Sequence, residues 1–213
     1  MTDDKIDAPT FGDLLMRLAD LLICMLFLPV TLLVLCVVTI AIKLDDAGPV
    51  FFRQTRVGRG TEPFPMLKFR TMYADPARVS GDATSTDDLA AERARFQTAS
   101  ANDPRITRVG RFLRKTHLDE LPQILNVLKG DMSMVGVRPD VPVQRADYTA
   151  EEWHLRHVLR PGITGLAQID PRANGIPGVR TERDLEWVRR RSFALYLSIL
   201  VGTFRKVLNR SGV

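Results

Sequence analysis

DPRITRVGRFLRKTHLDELPQILNVLKGDMSMVGVRPD, residues 103–140, places a basic segment, an adjacent pair of acids and an amphipathic repeat in one short block. Leu121, Ile124, Leu125 and Leu128 recur at helical spacing, and Gly130 supplies a C-terminal stop. Pro122 is tolerated only in a first turn, where its missing N–H costs nothing, so the helix is predicted to start at Asp119 or Glu120. A helix start presents unpaired N–H groups and partial positive charge. Asp119 and Glu120 are therefore expected to stay ionised, available as nucleophile or metal ligand. An acid at that position is by itself ordinary capping, so the surrounding residues must decide.

Upstream, residues 21–42, LLICMLFLPVTLLVLCVVTIAI, carry no charge and are long enough to cross about 30 Å of hydrocarbon as a helix. The acids before it (Asp3, Asp4, Asp7, Asp13, Asp20) are not the basic leader of a cleaved signal, so the segment is expected to remain. Pro29 predicts a kink, after which the segment either spans the bilayer or turns back. Lys43, Arg53, Arg56, Arg59, Lys68 and Arg70 follow it and place the body of the chain on the cytoplasmic side. Two strands are predicted in VFFRQTRVGRGTEPFPMLKFRTM, with a turn at Gly58–Arg59–Gly60. Strand alternation then puts Lys68 and Arg70 on the face opposite Leu67 and Phe69. Residues 74–104 read as a polar surface loop, with room for a helix near 88–96.

Downstream, Thr149 and Glu152 are spaced as a capping box for a helix over 150–159. A loop rich in glycine and proline, RPGITGLAQIDPRANGIPG, leads to a closing helix over 182–208. That helix sets Arg189, Arg190 and Arg191 beside Trp187, Phe193, Tyr196 and several leucines, which suits a headgroup-level helix or one packed on the core.

The 213 residues carry a formal charge of +5, a balance that favours anionic partners. Basic runs interleaved with aromatics are absent, which argues against nucleic acid. Cys24 and Cys36 both fall in the apolar run and read as small hydrophobes rather than a disulfide framework. His117, His154 and His157 lack partners at metal-ligand spacing, and Ser133 has no nearby base. The remaining chemistry lies in a set: Lys68, Arg70, Arg114, Arg138 and Arg172 around the two acids. Arginine forks grip phosphate oxygens, and the combination points to a diphosphate-plus-metal site.

These motifs resemble the monotopic phosphoglycosyl transferases, or bacterial sugar transferases. GPVFFRQTRVG, LKFRTM, residues 103–139, LRPGITGLAQI and the closing helix occur in that family's order. The resemblance implies an α/β fold: a small antiparallel sheet with short helices, a re-entrant membrane helix at residues 1–47 bent at Pro29, a catalytic part at 48–213 and an amphipathic C-terminal helix. It implies an inner-membrane enzyme in which Asp119 attacks a UDP-sugar, UMP leaves, and polyprenyl phosphate takes the phosphosugar from the aspartate. Glu120 would bind Mg²⁺, while Lys68, Arg70, Arg114, Arg138 and Arg172 contact substrate. Membrane lipids are expected partners and a homodimer stays open. Leu28, Val137, Pro171, Tyr196 and Ser198 depart from the family pattern and suggest a divergent member. Two readings compete: a membrane glycosyltransferase releasing UDP, and a non-catalytic membrane scaffold with a basic face.

Overall fold

The computed structural model describes residues 10–75, 103–174, 176 and 178–210. The helix expected near 88–96 lies outside them, as does most of the 74–104 loop.

The chain begins with α1, Phe11–Asp45, a single helix of 35 residues with Pro29 inside it. Strands β1 (Phe51–Val57) and β2 (Pro63–Phe69) pair across a turn of 3₁₀-helix at Arg59–Thr61. The turn forms where the sequence predicts it: Gly60 takes a φ of 65°, and Gly58 N–H donates to Glu62 O at 2.8 Å. Then come α2 (Arg108–Thr116), a 3₁₀ turn at Leu118–Glu120, and α3 (Gln123–Lys129). Strand β3 (Ser133–Val135), helix α4 (Ala150–His157) and strand β4 (Gly162–Thr164) follow. The chain closes with α5 (Leu166–Ile169), α6 (Val179–Arg190) and α7 (Phe193–Arg210).

Three expectations need correction. The α-helix starts at Gln123, not at Asp119 or Glu120. Pro122 has no N–H to continue the ladder, so the two acids sit in the preceding 3₁₀ turn. The sheet is not simply antiparallel: β3 and β4 form a separate parallel pair, with Ser133 opposite Gly162 and Val135 opposite Thr164. Glycine permits this ladder, because a Cβ on Gly162 would stand 2.0 Å from Gly136 N. Finally, the closing helix is two helices. Arg191 leaves the helical conformation (φ −49°, ψ 130°), and Ser192 Oγ accepts from Leu195 N at 3.2 Å, capping α7. By contrast, the capping box of α4 forms as expected, Thr149 Oγ1 accepting from Glu152 N and Glu152 Oε2 from Thr149 N.

The described residues belong to two compact units. The first draws on Met1–Met25, Thr55–Phe64 and Asn126–Val213. Met16, Val135, Val137, Trp187, Val188, Tyr196 and Ile199 form its core. Beside the core, Arg156 is fully buried between Asp140 and Asp184, at 2.9 Å and 2.6 Å. Asp20, on α1, accepts from Tyr196 Oη at 2.8 Å, Met134 N at 2.9 Å and Ser133 Oγ at 3.1 Å. Tyr196, one of the departures, thus joins the closing helix to α1. The same helix α7 exposes Leu197, Val201, Phe204, Val207 and Leu208 along its other side.

The second unit draws on Leu26–Gln54 and Pro65–Leu125. Its core is Leu35, Val38 and Ile42 of α1 with Phe69 and Leu113, and Phe51 stacks on Phe69 at 5.6 Å between ring centroids. Gly110 lets α2 press against the Thr71 carbonyl, where an added Cβ would meet the oxygen at 2.1 Å. Gly110→Ala is therefore expected to destabilise the protein by about 1–3 kcal/mol through overpacking. Thermal unfolding of the detergent-solubilised protein checks this, and an unchanged Tm contradicts it.

Apart from the faces that reach these cores, α1 is bare. Only 17% of its most apolar 18-residue window, with a mean hydropathy of 3.1, is buried. Among the described residues it is the one helix long and apolar enough to cross a membrane. A core helix of a soluble protein would be mostly covered.

Candidate active site

The site is assembled in the second unit by two turns of chain and one strand. Helix α2 starts at Thr107, whose Oγ1 accepts from Gly110 N at 2.9 Å, and Asp45 Oδ2 accepts from Val109 N at 2.8 Å. It ends at His117, which takes the left-handed conformation (φ 58°) and turns the chain sharply into Leu118–Glu120. Asp119 and Glu120 are consequently held by a cap and a 3₁₀ turn, each half-buried.

Lys68, on β2, donates to Glu120 Oε1 at 2.7 Å. Arg114, in the last turn of α2, donates through Nε to Thr71 Oγ1 at 2.9 Å. Burial pushes the Asp119 carboxyl above the ordinary carboxylate range. The Lys68 charge pulls it back down, neighbouring Glu120 pushes it further up, and Arg114 and His117 pull it down. The helix-start argument for Asp119 thus gives way to a different one. Its titration is set by desolvation against nearby cations, an arrangement common where a carboxylate does chemistry.

Arg70 is placed differently from Lys68. It is buried just past the end of β2, its Nη1 donating to Asp46 Oδ2 at 2.8 Å and its Nη2 to Asp46 O at 2.6 Å. Asp46 also accepts from Ala74 N at 2.9 Å. Arg70 therefore ties the end of α1 to the strand that carries Lys68. Asp45 and Asp46 were not singled out from sequence. Their signal was available, since two acids end the apolar run just before Gly48–Pro49.

Arg138 and Arg172 belong to the first unit. Arg138 is exposed and makes no ion pair among the described residues. Arg172 is also exposed, and its guanidinium is forked onto Asp170, Nε to Oδ1 at 3.1 Å and Nη2 to Oδ2 at 2.8 Å. Arg183 reaches the same carboxylate at 2.8 Å. Arg172 and, behind it, Arg183 hold the Asp170 carboxyl well below the usual range. Within the second unit the structure brings Lys68, Arg114, Asp119 and Glu120 together and ties Arg70 to Asp46.

His117 is the left-handed cap of α2, and His157 Nδ1 lies 2.7 Å from Trp153 O. Among the described residues no group of three or more His, Cys, Asp or Glu side chains is placed to hold a metal ion. The adjacent carboxylates of Asp119 and Glu120 still fit Mg²⁺. That ion commonly takes one or two protein carboxylates and fills its other positions with water and phosphate oxygens.

The sequence pattern that defines the bacterial sugar transferases matches residues 11–210. The chain belongs to the bacterial sugar transferase family. Within this family it is 39% identical, over 96% of its length, to the UDP-glucose:undecaprenyl-phosphate glucose-1-phosphate transferase of Escherichia coli (strain K12). It is 41% identical, over 81% of its length, to the exopolysaccharide production protein PSS of Rhizobium leguminosarum bv. phaseoli, of which the match covers 84%. A third relative, 40% identical over 78% of the chain, is the undecaprenyl-phosphate galactose phosphotransferase of Salmonella typhimurium. The chain spans 43% of the E. coli relative and 35% of the Salmonella one.

Proposed function

We propose that the protein transfers a sugar 1-phosphate from a UDP-sugar to a polyprenyl phosphate, releasing UMP, with Asp119 as the nucleophile. The observation that carries this reading is a half-buried aspartate next to a second carboxylate, with Lys68 hydrogen-bonded to that neighbour and Arg114 close by. The names of the relatives support the reaction class, and glucose or galactose is the sugar to test first.

In the first step an Asp119 carboxylate oxygen attacks the sugar-bearing phosphorus. A P–O bond forms, the bond to the bridging oxygen breaks, and UMP leaves with that oxygen and its electron pair. In the second step a phosphate oxygen of the polyprenyl acceptor attacks the same phosphorus and Asp119 leaves as carboxylate. Two displacements replace one difficult transfer, and neither needs a proton from the enzyme at the reacting oxygen. Lys68 and Arg114 supply positive charge where phosphate oxygens would sit. Glu120, with Asp119 beside it, would hold Mg²⁺, which when bound neutralises diphosphate charge.

Residues 1–47 embed the protein in the inner membrane in this reading, with α1 turning back at Pro29 and residues 48–213 on the cytoplasmic face. Supporting it are the bare apolar surface of α1, the cations that follow it, and the exposed apolar side of α7. The polyprenyl tail would remain in lipid while the nucleotide stays in water.

The Lys68 charge holds the Asp119 titration down, so removing it should move that titration up. Lys68→Met is expected to shift the acid limb of the kcat/KM profile to higher pH and to lower activity about 10- to 100-fold at neutral pH. A pH–rate series on wild type and variant tests this. An acid limb that stays in place, or moves to lower pH, would show that Asp119 is not the titrating nucleophile.

A further inference from the structure

A second site lies within the first unit. A cavity of about 70 Å³ is lined by Asp13, Met16, Arg17 and Asp20 of α1, Arg59 of the β1–β2 turn, Ser133 and Val135 of β3, Leu159, Arg160, and Trp187 and Arg191 at the end of α6. Four guanidiniums therefore converge on a space walled by Met16, Val135, Leu159 and Trp187.

Two of the four are neutralised. Arg191 Nε donates to Asp13 Oδ1 at 3.0 Å, and Arg17 stands 3.8 Å from Asp20 while its Nη1 donates to Val127 O at 2.8 Å. The other two have no carboxylate partner among the described residues. Arg160 donates through Nε to Gly130 O at 2.8 Å, which satisfies one N–H and no charge. Arg59 is exposed and forms no ion pair there. Burial lowers the Arg160 titration, the charges of Arg17 and Arg59 lower it further, and Asp20, which forms no ion pair with it, offsets only part of this. Like charges that converge on a partly buried one such as Arg160 are costly without an anion between them.

We propose that this cavity binds a phosphate group, with Arg59 and Arg160 as its two uncompensated ligands. A phosphate monoester or diester suits the geometry of guanidinium forks, and the apolar walls suit the ester side of such a group. The chemistry has two sources, the headgroup of an anionic membrane lipid or a free phosphate. The first is favoured by position, because the stretch of α1 that lines the cavity also exposes Leu14, Leu18 and Leu22.

The test uses the full chain, wild type and Arg59→Gln, with thermal unfolding as the readout. One arm titrates inorganic phosphate in uncharged detergent against sodium chloride of matched ionic strength. The other compares phosphatidylcholine nanodiscs with and without phosphatidylglycerol. In at least one arm wild type is expected to gain Tm saturably beyond its control, and Arg59→Gln to need about tenfold more anion for the same gain. A response to inorganic phosphate assigns a free-phosphate site, and a response to phosphatidylglycerol alone assigns a headgroup site. Without anion, Arg59→Gln should be no less stable than wild type, since it removes only repulsion. Arg160→Gln should reproduce the loss of response. No saturable gain in either arm, an identical gain in Arg59→Gln, or a lower anion-free Tm for that variant overturns the proposal.

Discussion

Asp119→Asn is expected to reduce UMP release by about 10³-fold or more while leaving the protein at least as stable as wild type. The loss follows from removing the nucleophile of the first displacement, since an amide cannot form the acyl phosphate that the second step consumes. The stability result follows from the environment of the carboxyl. Burial raises its titration above the ordinary carboxylate range, so the folded protein keeps the proton to higher pH than the unfolded chain does. Below the ordinary range both states are protonated and nothing is lost. As pH rises through the raised value, ionising the half-buried group costs stability, and asparagine avoids that cost. The two proteins should have the same Tm in acid, with the variant equal or higher at neutral pH. A variant that is clearly less stable at neutral pH would make Asp119 a structural acid instead, and its lost activity would prove nothing about nucleophilic attack.

The largest stability effect should come from the first unit. Arg156 is fully buried, donating to Asp140 through Nε and Nη2 and to Asp184 through Nη1, with its guanidinium 4.5 Å from the Tyr148 ring centre. Asp140 also receives Val57 N at its carbonyl, at 2.9 Å, and lies two residues beyond Arg138. Arg156→Met would take the buried cation from two carboxylates whose side chains are 0% and 1% exposed, leaving Asp184 only the distant Arg180 at 4.0 Å and Asp140 only His157 at 3.6 Å as basic partners among the described residues. Breaking such a pair typically costs about 3–5 kcal/mol, far more than the pair contributes over an apolar replacement. Denaturant unfolding of the solubilised protein should show a drop of that order. The variant carrying Asp140→Asn and Asp184→Asn as well should recover part of it, because no buried charge is left unmatched. A drop below about 1 kcal/mol for the single variant, the size of a surface pair, would mean that the network is hydrated.

Much of this could be read in advance where the signal is local. The uncharged run of residues 21–42, the Gly58–Gly60 turn, the Thr149–Glu152 box and the Gly130 stop each depend on a few neighbouring residues, and each is found. The failures come where a distant contact decides. Residues 182–208 read as one helix, yet Ser192 caps a new one and Arg191 reaches Asp13, 178 residues away. The parallel pairing of β3 with β4 rests on the close approach of Gly136 and Gly162, which no period-2 pattern reports. At the site, the acids and Lys68 stood out through charge and position. The partner of Arg70 did not, because alternation along a strand predicts a face but not which carboxylate waits there. His117 as a left-handed hinge was equally hidden, since glycine or asparagine is the usual marker of that conformation.

The most direct test of the central claim omits the acceptor. The protein in nanodiscs is mixed with Mg²⁺ and UDP-glucose, then UDP-galactose, without polyprenyl phosphate, and both the released nucleotide and the intact protein mass are measured. The account predicts a burst of UMP approaching one per enzyme and a hexose-phosphate adduct that peptide mapping places on Asp119. The adduct should disappear when polyprenyl phosphate is added. Release of UDP, or UMP formed only with acceptor present and no adduct on Asp119, would contradict it.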